Sequence, residues 1–345
     1  MIRFYCPEPL SGFVLHPTLA FRFTSEPPWR GPFDEHLPPN FFEKDAEFVD
    51  TPENADAIIL PNNFHILTGE AHAYIAGHTD VAERLGIPIY AFAFNDLADG
   101  VPFDPRVRVF RLSTYRSTIQ AQDIVVPTTA QDFDFIPRSK SELPLVSFCG
   151  FAGFKTLRQW MGYLFKNLQW DVKALHNAII RARKQGIYWR RKMIAACRSP
   201  LVVCRFIIRR SFSGAMRTIE LPPQEARAQF IENMRESDFV LTPKGDGNYS
   251  NRFLETLSMG RIPVLLNTDT VLPLEDVIDY SKIVVRVPMN QVHDTPELIR
   301  KFYDALSDSE WQDRQRLAHE TFQKYLRQDA FFRYFFGISE RSREL

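Results

Sequence analysis

Apolar residues fall in two rhythms along this chain. Short continuous runs at 2–5, 56–61, 87–94, 107–112 and 124–126, bounded by Pro, Gly, Asn or Asp, have the length and aromatic or branched content of buried strands. Between the second and third of them, 70–85 has the length and spacing of a helix. The second half repeats the alternation. A strand at 145–153 runs into Gly150 and Gly153, a helix through Arg158 follows, and 201–208 is again apolar. From Pro222 the segment PPQEARAQFIENMRES puts Ala226, Phe230, Ile231 and Met234 on one helical side. Strands at 239–241, 262–266 and 284–287 and helices at 296–306 and 310–326 complete the pattern. Strands alternating with helices predict parallel sheets covered on both faces. Residues 1–45, interrupted by Pro7, Pro9, Pro17, Pro27, Pro28, Pro32, Pro38 and Pro39, predict irregular chain around a strand at 2–5.

The segment 239–266, FVLTPKGDGNYSNRFLETLSMGRIPVLL, reads as a complete strand, loop, helix and strand. Pro243, Lys244, Gly245, Asp246 and Gly247 supply the turn, Ser250 or Asn251 the cap, and Gly260 the stop. A helix starting at the carboxyl end of a parallel strand offers free N–H groups and a positive dipole end, which favour a phosphate. Lys244, Ser250, Asn251 and Arg252 crowd that end, and Glu255 follows Arg252 one turn later on the same face. A guanidinium suits a pyrophosphate and a carboxylate can accept from a ribose diol. An intrahelical Arg–Glu pair on a solvated face is the plainer alternative.

The run Ser250-x-Arg252-x-x-Glu255, then Gly260-Arg261-Ile262-Pro263-Val264 and Leu272-Pro273-Leu274-Glu275-Asp276, resembles the C-terminal half of the exostosin-like glycosyltransferases. Arg261 stands where that family usually has cysteine, and Leu274 where it usually has phenylalanine. The resemblance implies the GT-B architecture: an α/β chain of two Rossmann-like parallel-sheet domains facing across a cleft. A shift to Arg, Ser, Lys and Glu near Pro137–Pro144 marks the linker. The domains are therefore expected at 1–140, on the acceptor side, and 141–325, binding a nucleotide sugar. The tail 326–345, with FFRYFF at 331–336, is expected to be core or a helix crossing back to the first domain. Gly153 and Arg158 resemble the opening loop and arginine of the donor domain, a plain tight turn being the alternative.

Composition bounds the reading. The chain has 345 residues, 45% of them hydrophobic and 24% charged, with a formal net charge of +0, so whole-surface attraction to nucleic acid is not expected. The start, MIRFYC followed by Pro-rich sequence, lacks the pattern of a signal peptide, and a cytoplasmic protein is expected. Cys6, Cys149, Cys197 and Cys204 lack paired zinc spacing and are read as reduced, mostly buried thiols. Between Val172 and Thr218 lie twelve Lys or Arg and no Asp or Glu. This stretch admits three readings: a solvated helical face, a patch for peripheral contact with an anionic membrane at its inner face, or part of the donor pocket, where Arg209 and Arg210 are best placed.

The expected reaction is transfer of a sugar from a nucleotide diphosphate donor, UDP before GDP, to a glycan or lipid-linked glycan, in surface polysaccharide synthesis. The expected mechanism is inverting and independent of metal, with no cofactor and with Arg252, Lys244 and Arg210 holding the leaving diphosphate. Asp132-Phe133-Asp134 has a metal-triplet spacing but is read as surface loop of the first domain. The base that deprotonates the acceptor is sought at strand ends of the first domain, Asp96 before His65. For either residue a loop side chain bonding its own backbone is the alternative. Two other function classes stay open: a catalytically inert nucleotide- or glycan-binding relative, and a nucleic-acid binder built on the basic stretch.

Overall fold

The computed structural model describes residues 1–25, 39–96, 99–211 and 221–338. Pro27, Pro28, Pro32 and Pro38, part of the expected irregular start, and Arg217 of the basic stretch lie outside them. The chain divides into two compact units, one of 1–131, 271–274 and 324–345, the other of 132–270 and 275–323.

In the first unit, β1 (Ile2–Tyr5), β2 (Ala46–Val49), β3 (Ala57–Asn63), β4 (Ile89–Phe92), β5 (Val107–Arg111) and β6 (Asp123–Val125) form one sheet in the order β2-β1-β3-β4-β5-β6. Every pairing is parallel. β2, a short strand at the edge of the sheet, escaped the sequence pattern. Alternation along β3 sends Ile58 and Leu60 to one face and Ala57 and Ile59 to the other, so both faces need cover. The helix α2 (Gly69–Leu85) covers the first face with Ala71, Ile75 and Ala82. Phenylalanines cover the second: Phe41 and Phe42 of α1 (Phe41–Lys44), and Phe331 and Phe332 from the C-terminal tail. The FFRYFF segment is core of this unit, and Arg333 ties it down by ion pairs to Asp45 and Asp329.

The second unit is a five-stranded parallel sheet, β11-β10-β9-β7-β8, of β7 (Leu145–Phe151), β8 (Val203–Arg209), β9 (Phe239–Leu241), β10 (Ile262–Asn267) and β11 (Val285–Pro288). Its helices are α3 (Leu157–Lys173), α4 (Gly186–Ala196), α5 (Pro223–Arg235), α6 (Asn251–Ser258), α7 (Thr295–Asp304) and α8 (Asp308–Thr321). The expected helix over 310–326 is broken, because its last turn widens to a π turn at Phe322–Leu326 before α9 (Gln328–Phe335) begins. The break between units comes after Gln131, ahead of the expected 140. Residues 132–140 pack with the second unit: Phe133 joins Met234, Val240 and Met259, and Arg138 pairs with the buried Asp238 at 3.0 Å. The Asp132-Phe133-Asp134 triplet is therefore not a surface loop of the first unit. Phe133 is buried, and Asp132 accepts from Gln323.

Arg261, in the usual cysteine position, is only 1% exposed. Its guanidinium donates to the carbonyls of Arg235 and Met259 and to Gln315 Oε1, which satisfies a charge that burial has pushed down to about 10. It braces α5, α6 and α8. Gly260 closes α6 at φ +67°, and a Cβ there would stand 2.6 Å from the Phe135 ring.

Candidate functional site

The site is built where β7, β8 and β9 end and α4, α5 and α6 begin or pass. The loop leaving β9 is held at both flanks. Thr242 bonds Val264 through backbone and hydroxyl, Gly245 N–H donates to Tyr249 O at 2.8 Å, and Asn248 Oδ1 accepts from Thr268 Oγ1 at 2.7 Å. α4 starts hard against this loop: a Cβ on Gly186 would lie 2.3 Å from Gly245 O and 2.6 Å from Lys244 O. Only a glycine permits that approach. Lys244 is buried at 4% exposure, and Ser250 takes the cap position of α6 without a side-chain capping bond.

Arg252, in the first turn of α6, crosses to β7. Its Nη2 donates to Cys149 O at 2.8 Å, and its guanidinium lies over the Phe148 ring at 4.5 Å and the Phe230 ring at 5.3 Å. Gly150 makes this possible, since a Cβ there would stand 2.8 Å from the same Nη2. Two arginines of α4 reach the next carbonyls: Arg190 Nη1 donates to Phe151 O at 3.2 Å, and Arg191 Nη1 to Ala152 O at 3.0 Å. Three successive guanidiniums thus close on the carboxyl end of β7, and Arg209 at the end of β8 donates to Ala226 O at 2.7 Å.

Carbonyl dipoles do not cancel these charges. Burial is the first cause that lowers Arg252, to about 10, and the neighbouring Arg190 is the second; Arg190 is itself lowered by burial. The Nε atoms of both are buried without a hydrogen-bond partner among the described residues. A desolvated cation pair with unspent donors is stabilised by an anion.

Glu255 is not the partner of Arg252 on a solvated face. It is 7% exposed, and its Oε1 accepts from Arg227 of α5 at 2.6 Å. Arg252 and Glu255 project on one helix as expected, with separate partners.

The other expected residues divide. Gly153 serves packing: its N–H and that of Ala152 both donate to Arg209 O, and a Cβ would meet the Arg210 side chain at 3.1 Å. Those N–H groups are spent within the fold, as in the plain tight turn that was the alternative reading for Gly153. Arg210 is exposed, and strand alternation makes Arg209 the inward member of the pair. Arg158 is exposed on α3, and no hydrogen bond or ion pair among the described residues joins it to the cluster. Asn251 is exposed at the start of α6.

The basic stretch is not one surface. Lys184 is buried against Asp171 at 2.7 Å, Arg190 and Arg209 enter the site, and Arg205 pairs with Glu236. Arg190, Arg191 and Arg227 escaped sequence reading because charge runs look alike until tertiary contacts sort them.

In the first unit, His65 and Asp96 follow the carboxyl ends of the neighbouring strands β3 and β4. Asn63 locks those ends together, accepting from Phe94 N–H at 2.7 Å and donating to Phe94 O at 2.9 Å. Asp96 is exposed, and the half-buried His65 has the local backbone neighbour that the plainer reading anticipates, Nδ1 lying 3.4 Å from Asn63 O.

The family model described as the Exostosin GT47 domain matches residues 153–302. Residues 153–302 thus match an exostosin GT47 domain, and over part of that length the chain is similar to exostosin-like glycosyltransferases. The matched span holds Arg190, Arg227, Arg252 and Glu255. The chain is similar to the Exostosin-1 homolog of Caenorhabditis elegans, 34% identical over 73 residues, 21% of this chain and 19% of the relative. It is similar also to a probable glucuronosyltransferase of Physcomitrium patens, 34% identical over 93 residues, 27% of this chain and 20% of that one. The matches span about a fifth of these curated relatives. Solved structures with a likeness include Anabaena HepE in complex with UDP (12% identity, full coverage of both chains, TM-score 0.36) and the lipopolysaccharide glycosyltransferase WaaG (12% identity, 98% and 100% coverage, TM-score 0.35).

Proposed function

We propose that this exostosin-like chain transfers a sugar from a nucleoside diphosphate donor to a hydroxyl of a glycan or lipid-linked glycan, with inversion. The observation that carries the reading is the pair of half-buried guanidiniums, Arg252 and Arg190, their Nε atoms buried without a partner among the described residues, at the carboxyl end of β7 beside the start of α6. The donor diphosphate binds there, and the positive end of α6 adds to the cations. As the glycosidic bond breaks, negative charge grows on the leaving diphosphate. Fixed guanidiniums in a dry site stabilise it without reorganising. In this reading the chain's own cations do the work, and no metal is required.

In this reading Glu255, its Oε1 held by Arg227, accepts from the donor's ribose. UDP is the first nucleotide and GDP the second, and the names of several relatives make a glucuronosyl group the first sugar to test. Asp96 and then His65 are the candidate bases for the acceptor hydroxyl. The proposed setting is surface polysaccharide synthesis in the cytoplasm.

The deciding experiment is a thermal-shift and calorimetric screen of UDP, GDP, CDP and their sugars, with and without EDTA. One diphosphate should raise the melting temperature in EDTA and fail to do so in Arg252→Ala. Stabilisation by none of them would leave an inert relative as the better reading, and stabilisation lost on adding EDTA would overturn the metal-independent mechanism.

A further inference from the structure

α3 presents three faces. Asn167 and Ala174 are buried, with Tyr163 and Trp170 half-buried beside them, and this side packs on the unit. A second line is apolar and bare: Leu157 is 70% exposed, Met161 57%, Phe165 63%, Leu168 61%, Val172 57% and Leu175 76%. Steps of three and four residues keep the first five of these side chains on one stripe over the whole helix, and Leu175 follows just past its end. Arg158, Lys166 and Lys173, all exposed, follow one flank of the stripe, the Lys173 ammonium lying over the Trp170 ring at 4.7 Å. Asp171, the one acidic residue between 155 and 190, is occupied by Lys184 at 2.7 Å. Lys155 and Arg181, both exposed, add charge at the two ends.

Monomeric soluble surfaces rarely leave a stripe of this kind without an occupant. We propose that α3 is an interfacial helix that seats the second unit on an anionic lipid bilayer, its apolar stripe in the headgroup boundary and its cations against lipid phosphates. An apolar stripe with a basic flank and modest mean hydropathy is the arrangement that lies in a membrane surface. Charge disfavours an antiparallel second copy of this chain, because that two-fold pairing of the stripe would set the rows of Arg158, Lys166 and Lys173 beside each other, and the basic flank matches an anionic surface better than a second cationic one. No helix among the described residues is long and apolar enough to cross a membrane, so the contact is peripheral. The inference rests on α3 alone and stands or falls separately from the donor site.

The test is co-sedimentation of the full chain with phosphatidylglycerol–phosphatidylcholine vesicles and with phosphatidylcholine alone. The expected result is binding to the anionic vesicles, weakened by high salt, with Phe165→Glu and Leu168→Glu each reducing the bound fraction about tenfold. Lys166→Glu with Lys173→Glu should weaken it on anionic vesicles only. Brominated acyl chains should quench part of the tryptophan fluorescence, and that part should vanish in Trp160→Phe, a readout that does not depend on a charged variant folding. Binding unaffected by the Glu variants, absence of binding to anionic vesicles, or a solution dimer dissolved by Leu168→Glu would each overturn the proposal.

Discussion

Arg252 Nη2 donates to Cys149 O at 2.8 Å, joining residues 103 apart in sequence and fixing a half-buried guanidinium at the end of a central strand. The bond places the cation, and the rings of Phe148 and Phe230 flank it. Arg252→Ala is expected to keep the fold and to lower kcat/KM by about a hundredfold or more, as removal of a fixed charge stabiliser does. Arg252→Lys should recover little, since an ammonium neither stacks nor forks. Steady-state transfer assays check both, and wild-type turnover in either would remove Arg252 from the donor site.

Gly150 gives a subtler handle. Gly150→Ala puts a methyl 2.8 Å from Arg252 Nη2 on a residue at φ +158°, so the guanidinium shifts and the end of β7 is strained as well. Calorimetry should show diphosphate affinity falling roughly tenfold, with a melting temperature lowered by the strain but a folded chain. Unchanged affinity would mean that the position of the guanidinium does not matter.

Gly186 should behave differently. The atoms facing its absent Cβ are the backbone oxygens of Gly245 and Lys244, at 2.3 and 2.6 Å, which cannot swing away. Gly186→Ala is expected to cost about 2 kcal/mol or more in chemical denaturation and to weaken the donor site as well.

Arg227 and Glu255 form a mostly buried pair at 2.6 Å. Arg227→Ala leaves the carboxylate buried without its cation and should destabilise the chain by roughly 2–3 kcal/mol. A double-mutant cycle with Glu255→Gln should show the two substitutions far from additive. Additivity would mean that the pair does not couple.

His16 predicts a pH dependence in the first unit. Its imidazole is buried, stacked on Phe92 at 3.7 Å with Nδ1 2.7 Å from Thr18 Oγ1, and burial lowers it to about 3 from an ordinary 6.5. Between those values the unfolded chain binds a proton that the folded chain refuses, so stability rises with pH across the window. The contribution is complete above pH 6.5 and is lost as pH falls towards 3. Denaturation midpoints at pH 7 and pH 5 should differ in the wild type, with a visibly smaller difference in His16→Gln.

Most strands and helices were legible from apolar rhythm, because a parallel strand buried on both faces and an amphipathic helix impose periods that residue types reveal. The 239–266 unit was legible in more detail, since its chemistry is local: turn, cap, Arg252 and Glu255 lie on one short piece of chain. The short edge strand β2 and the π turn at Phe322–Leu326 were not, because neither has a period of its own. Arg190 looked like any member of a basic run. Its burial comes from the approach of α4 to the loop after β9, a contact between segments more than fifty residues apart. Local pattern thus determined the elements and the Arg252–Glu255 helix. Only the tertiary structure decided which arginines are desolvated, because desolvation depends on the neighbours that folding brings, and these are not adjacent in the chain.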